Sequence, residues 1–427
     1  MKIAQRILVG SLLSVAIFTF ACDRSTPSPN DPLNPVAAPE SPLVIRASNS
    51  PTGGDSREPE LTTTQDGRII LSWVEKIRAK RYALRTSLRD QNGWSPTRTV
   101  SEGDNWFVNW ADFPSVVSLQ DGSLAAHWLV KSGSSTYAYD VNLSTSKDGG
   151  TTWSKPIVPH RDKTQTEHGF VSLIPLRDGR LGAVWLDGRN MKDMKDDEGH
   201  GPAPQSMTLR YAAIDGEGTL SDEAQLDERI CECCQTSAAV TSEGPIAIYR
   251  DRSAGEVRDI FVVRQHNGVW GAPQAVHADT WQINGCQVNG PAVSASARRV
   301  VVGWYTEANN VPHVKLAFSE DAAATFGSPI EVDDGEAIGR VDVLLLPDSS
   351  ALVCWMAGNA ERGAIKVRRV RSDGRLGPPA VLAQTDISRS SGFPRMARLG
   401  DEVHFAWTEF GSPAKVRMAT ANISAYR

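Results

Sequence analysis

The chain has 427 residues, 40% hydrophobic and 22% charged, with 12 Trp, 35 Gly and 25 Pro, which is enough apolar material for one large core or several small ones. A net charge of −5 and the lack of any long basic run argue against a nucleic-acid partner. Frequent turn formers beside many large aromatic anchors point to an all-β protein.

In chain order, the first element is an export signal. Lys2 and Arg6 precede an apolar run from Ile7 to Phe20, followed by Ala21 and Cys22; the run is short for a membrane span and ends at a small residue suited to cleavage. Thr19-Phe20-Ala21-Cys22 resembles a bacterial lipobox, with Thr19 where Leu is usual. The resemblance implies lipidation at Cys22 and a periplasm-facing protein held to the membrane by that anchor alone. Residues 23–42 are rich in Pro, Ser and Asn and read as a tether.

Residues 43–427 repeat. A turn followed by an apolar strand ending in an aromatic runs from Asp66-Gly67 to Trp73, Asp121-Gly122 to Trp128, Asp178-Gly179 to Trp185 and Asp348-Ser349 to Trp355, with degenerate copies ending at Tyr249, Trp304 and Trp407. The aromatic ends lie 51 to 64 residues apart, a period that fits four short antiparallel strands per unit. In the second unit these are Phe113–Leu119, Leu124–Val130, Ala138–Ser144 and Trp153–Val158. A second anchor opens the fourth strand: Trp94-Ser95-Pro96, Trp153-Ser154-Lys155-Pro156, Trp270-Gly271-Ala272-Pro273, Phe326-Gly327-Ser328-Pro329 and Leu376-Gly377-Pro378-Pro379, with a weaker copy at Leu220-Ser221. Pro is tolerated on an outermost strand. The seventh unit lacks this strand, and Ser41-Pro42-Leu43-Val44-Ile45 resembles it. We therefore expect a seven-bladed β-propeller closed by its N-terminal strand, which removes the open edge; a six-bladed ring is the alternative. The chain is expected to be a monomer.

Ser146-Lys147-Asp148-Gly149-Gly150-Thr151-Thr152-Trp153 has the form S-x-D-x-G-x-T-W, and Ser319 to Phe326 is a degraded copy with Ala323 at the Gly position. This resembles the Asp box of the sialidase superfamily, also called the BNR repeat, where it is a structural turn between the third and fourth strands.

In an up-and-down blade the fourth-to-first and second-to-third connections share one face, where binding residues cluster. Glu75, Asp187, Asp251 and Glu409 each follow a strand-ending aromatic by two residues, and Glu307 follows by three. Carboxylates converging on the axis raise one another's pKa, which suits acid/base work; a solvated rim is the plainer alternative. Arg189, Arg250, Arg252 and Arg258 follow the second strands of units three and four, and Arg57, Arg340 and Arg395 precede or open first strands. Sialidases hold their substrate carboxylate with three Arg and use a Tyr nucleophile activated by Glu. The resemblance implies a carbohydrate or other anionic ligand, an exo-sialidase-like hydrolysis, and Tyr305 with Glu307 in the Tyr and Glu parts. Arg57-Glu58-Pro59 resembles the motif of the first Arg, with Glu58 in place of Ile. Ion pairing would account for these Arg equally well.

Cys231, Cys233 and Cys234 enter the fourth unit and Cys286 the fifth. In an oxidising compartment disulfides are the default; four thiolates would also suit a soft metal, the one cofactor the sequence suggests. Cys354 reads as a core thiol. Trp106 and Trp110 suit either sugar stacking or packing between blades. The polar run from Arg189 to Gln205, with Asp193, Asp196, Asp197, Glu198 and His200, reads as a solvated insertion, with a lid or metal loop as the alternative. Competing with ligand processing is a non-catalytic scaffold that binds a protein partner or a soft metal through the Cys cluster.

Overall fold

The computed structural model describes residues 41–192, 206–359 and 362–424. The proposed signal, Cys22, most of the tether and the polar residues from Asp193 to His200 lie outside the described residues. The rest folds into seven antiparallel sheets in sequence order. Blade one comprises Ser56–Thr63, Ile69–Arg78, Arg81–Asp90 and an outer edge of Gly93–Trp94 and Arg98–Gly103; blade two comprises Ser115–Ser118, Leu124–Lys131 and Tyr139–Ser146. Blade three runs His168–Pro175, Leu181–Asp187, Thr208–Ile214 and Leu220–Asp227, and blade four Ser237–Thr241, Gly244–Arg250, Ile260–His266 and an outer edge of Val269–Trp270 and Gln274–His277. Blade five is built from Ala292–Ser296, Arg299–Thr306, His313–Ser319 and Ile330–Glu331, and blade six from Ala337–Leu345, Ala351–Gly358, Gly363–Val370 and Ala380–Thr385. Blade seven joins Arg395–Leu399, Glu402–Glu409 and Lys415–Asn422 to the N-terminal strand Ile45–Ser48.

The ring therefore closes through its N-terminus, a few residues later than expected: Ile45 to Ser48 pair with Ala421 to Met418. Leu43, ahead of the strand, is buried beside Leu382 and Ile423. In blade two the expected fourth strand shrinks to a bridge between Leu143 and Ile157.

The repeated aromatics explain the packing. Trp73, Trp128, Trp185, Tyr249, Trp304, Trp355 and Trp407 are all buried, and each joins a cluster shared with the preceding blade. Trp185 lies with Val141 and Leu143, Trp355 with Val301 and Leu316, and Trp73 with Ala406 and Met418 of blade seven. A large ring at the end of every second strand thus fills the gap to its neighbour, and the core is seven seams around an axis. The turns ahead of these strands close with an amide bonding back to a carbonyl, as Gly67 to Thr64 and Gly122 to Leu119, at left-handed φ of 81° and 82°. Ser349 adopts the same conformation at φ 70°, so Asp348-Ser349 folds like Asp-Gly despite the steric cost.

The segments Ser146–Trp153 and Ser319–Phe326 fold alike. Asp148 accepts from Thr151 N–H, Thr152 N–H and Thr152 Oγ1, while Ser146 Oγ accepts from Gly150 N–H. Asp321 and Ser319 repeat this with Thr325 and Ala323. These side chains satisfy the turn's own amides, a structural use of short polar residues.

Candidate functional site

The acids after the second strands have local partners. Positions two apart on a strand share a face, so Glu75 and Asp187 accept the buried indole N–H of Trp73 at 3.4 Å and Trp185 at 2.8 Å. Asp187 also takes two bonds from Arg189 at 2.7 Å. Tyr305 donates to Glu307 at 3.3 Å. Glu409 is exposed and paired with Arg417 at 2.6 Å. Burial, with Asp227 adding repulsion, raises Asp251 to about 7.

The arginines are equally engaged. Arg250, 2% exposed, donates to the carbonyls of Asn289 (3.0 Å), Arg258 (2.6 Å) and Tyr305 (2.7 Å) and lies over the Trp281 ring. Arg340 donates to Gly392 O at 3.1 Å and covers Trp110, which stacks on Phe393. Arg57 pairs with Asp55. Arg252 and Arg258 are buried between Glu232 and Glu256. Trp106 stacks on Trp128.

On the axis is a cavity of about 270 Å³ lined by first-strand residues of all seven blades, among them Glu60, Ser172, Ser237, Asp342 and Arg395. Of the nominated residues only Arg395 lines it, held by Glu60 at 2.7 Å between Phe113 and Phe393. Gln235 crosses above, donating to Ala111 O and accepting from Gly290 N–H. The nominated acids and arginines thus do not meet around one cavity.

Cys233 and Cys286 form a disulfide, which joins the openings of blades four and five. Cys231 and Cys234 remain as buried thiols with sulfurs 2.7 Å apart. Burial opposes ionisation of Cys231, yet the Cys234 thiol and the Arg258 guanidinium pull it down to about 7.

Beside this cluster the fold gathers a set of groups that sequence reading missed. Tyr139 Oη lies 2.8 Å from Asp112 Oδ2 and 2.7 Å from Glu167 Oε1. One O–H donates to only one carboxyl, so the second carboxyl keeps a proton and donates to the phenol oxygen. The charges bear this out in direction: burial raises Asp112 to about 7 against bonds from Phe170 N–H and Tyr139. Burial raises Glu167 to about 8, with Tyr139 opposing and Asp112 and Glu232 adding repulsion. Glu58 is likewise pushed up to about 8 by burial, against Arg57 and with Asp112. Asp112 and Tyr139 are buried, whereas Glu167 is partly exposed. Gly169 makes the approach possible, because a Cβ there would lie 2.0 Å from Asp112 Oδ2. Asp112 and Glu167 stand just before first strands, the position the blade geometry nominates; Tyr139 opens a third strand, and only folding brings it between them.

The molecule is thus a seven-bladed β-propeller with a proton-sharing carboxyl–tyrosine–carboxyl group on its connection-rich face. No protein-family model and no curated protein matches the chain. Among solved structures it is similar to a Dyadobacter fermentans protein of unknown function (14% identity, TM-score 0.51, covering 90% of this chain and 98% of that one). It is also similar to the polysaccharide lyase Uly1 (8%, 0.51, 88% and 91%) and to the NanB sialidase of Streptococcus pneumoniae (10%, 0.42, 90% and 92%). At these identities the likeness is one of fold.

Proposed function

We propose that the chain binds a carbohydrate on the face carrying Glu167 and breaks a glycosidic bond there, with Glu167 as proton donor. The observation that carries this is the Tyr139 hydroxyl held between Asp112 and Glu167. A carboxyl raised to about 8 is protonated at neutral pH, as a general acid must be, and Glu167 is partly exposed. As the C–O bond breaks, Glu167 gives its proton to the leaving oxygen, and water adding at the sugar carbon returns a proton to Glu167. The fold likeness to a polysaccharide lyase supports the substrate class; assignment to the sialidase superfamily rests on the Asp-box form of residues 146–153. Export and lipid anchoring at Cys22 belong to the same reading, supported by the charged start, apolar run and Ala21-Cys22.

The test is cleavage of a panel of neutral and uronic-acid polysaccharides, read as new reducing ends and as the ultraviolet absorbance of unsaturated products. Glu167→Gln should lower kcat/KM by about 100-fold or more, and the wild-type rate should fall above about pH 8, where Glu167 loses its proton. A folded Glu167→Gln with wild-type activity, or no binding to any member of the panel, would overturn the reading. A non-catalytic scaffold is the second reading, favoured by one observation: Arg250 and Arg340 bond backbone carbonyls within the fold.

A further inference from the structure

Behind the Tyr139–Glu167 pair lies a second cluster. Asp140 and His168 follow Tyr139 and Glu167 in the chain, and their side chains meet His160 and Asp162 of the connection between blades two and three. There the rings of His160 and His168 stack with centroids 3.7 Å apart. Their side chains are 3% and 0% exposed, and none of their four ring nitrogens has a hydrogen-bond partner among the described residues. Buried nitrogens left in this way are costly.

The two edges of the stack differ. On one, Asp140 Oδ1 faces His160 Nε2 at 3.8 Å and His168 Nδ1 at 3.7 Å, and that oxygen is itself buried without a hydrogen bond. On the other, Asp162 lies 3.3 Å from both His160 Nδ1 and His168 Nε2, with Asp187 at 3.8 Å from His168 Nε2. Two arginines stand on this second edge: Arg189 is 3.4 Å from Asp162 and 2.7 Å from Asp187, and Arg210 is 3.9 Å from Asp187. Among the described residues no arginine pairs with Asp140, and the three donor atoms of this edge lie within 4.8 Å of one another.

We propose that this edge is a zinc site, with Asp140 Oδ1, His160 Nε2 and His168 Nδ1 as ligands. Two imidazoles and a carboxylate are a zinc donor set. Asp162 supplies what such a site requires on the far side, a carboxylate 3.3 Å from the other ring nitrogen of each histidine, placed to accept both N–H groups once zinc turns the rings and so to fix their tautomer. Directing both lone pairs at one ion tilts the stacked rings into a V. Bound zinc ties the third strand of blade two to the first strand of blade three and steadies the backbone that carries Glu167.

The full chain, stripped with a chelator and dialysed, is titrated with zinc chloride by calorimetry and its metal content measured. One zinc per chain is expected. His160→Gln and Asp140→Asn should weaken binding by more than about 100-fold and Asp162→Asn by about 10- to 100-fold, while the Cys231→Ser, Cys234→Ser double variant keeps the zinc. Circular dichroism verifies that each apo variant is folded. No zinc bound by the wild type, wild-type affinity in both folded His160→Gln and Asp140→Asn, or loss of zinc in the cysteine variant would each overturn the site.

Discussion

Arg250 shows how a residue type that suits a ligand can be recruited by the frame. A guanidinium offers five N–H donors in a fixed fork, which suits a substrate carboxylate; here the fork bonds three carbonyls drawn from the Arg258 turn, the opening of blade five and the end of its second strand. Carbonyls in a buried turn need partners as much as ligands do. Arg250→Ala should therefore destabilise the fold by about 3 kcal/mol, from three carbonyls at about 1 kcal/mol each. Lys should rescue little, because a point charge cannot reproduce the fork. Urea unfolding tests this, and a wild-type midpoint for Arg250→Ala would refute it. The acids tell the same story, since the regular Trp-x-acid spacing serves to satisfy a buried indole N–H at Trp73 and Trp185.

At the scale of the strand, two features position the site. Three of the seven first strands carry a non-glycine residue at left-handed φ near their start: Glu58 at 54°, Phe170 at 52° and Arg340 at 51°. Register shifts accompany them at Arg57/Glu60, Gly169/Ser172 and Gly339/Asp342. Such bulges re-aim side chains, which is how Glu58 and Asp112 come to oppose each other. The other feature is closure. Ile45–Ser48 covers the edge of Lys415–Asn422, and Leu43 anchors the approach in the seam of blades six and seven. Leu43→Ala should cost about 2 to 4 kcal/mol, and deleting residues 41–48 should cost more by exposing a strand edge. Thermal unfolding of both variants measures this; an unchanged transition in the deletion would mean that the strand does not secure the ring.

The whole ring concentrates carboxyls toward its axis and one face, and its stability should carry their signature. Burial is the first cause in each case, raising Glu58 and Glu167 to about 8 and Glu60, Asp112 and Asp251 to about 7. Groups raised on folding bind more protons in the native than in the unfolded chain. Their contribution is full below the unfolded carboxyl range and is lost as pH rises through 7 to 8. The melting temperature should therefore fall between pH 6 and 9. Glu58→Gln should flatten that fall, because its Oε2 is buried without a hydrogen bond and the amide does not ionise. A flat wild-type profile, or one that rises over this window, would show that these carboxyls are not held protonated by burial.

The sequence by itself determined the blade count, the chain order of the strands, the closing role of the N-terminus and the turns at Ser146–Trp153 and Ser319–Phe326. Each of these is a local pattern repeated at a period, and spacing is preserved whatever the third dimension does. It also marked the face where the connections meet and the cysteines that staple blades four and five. Which polar groups work together was decided only by the tertiary structure. Tyr139 and Asp112 are 27 residues apart, and His160 reaches His168 from the connection that follows blade two, and no local rule links them. Residue type alone could not separate an arginine that binds a carbonyl of its own chain from one left for a ligand, because both uses draw on the same donors. That choice depends on which buried acceptors lie within reach, and reach is a property of the closed ring.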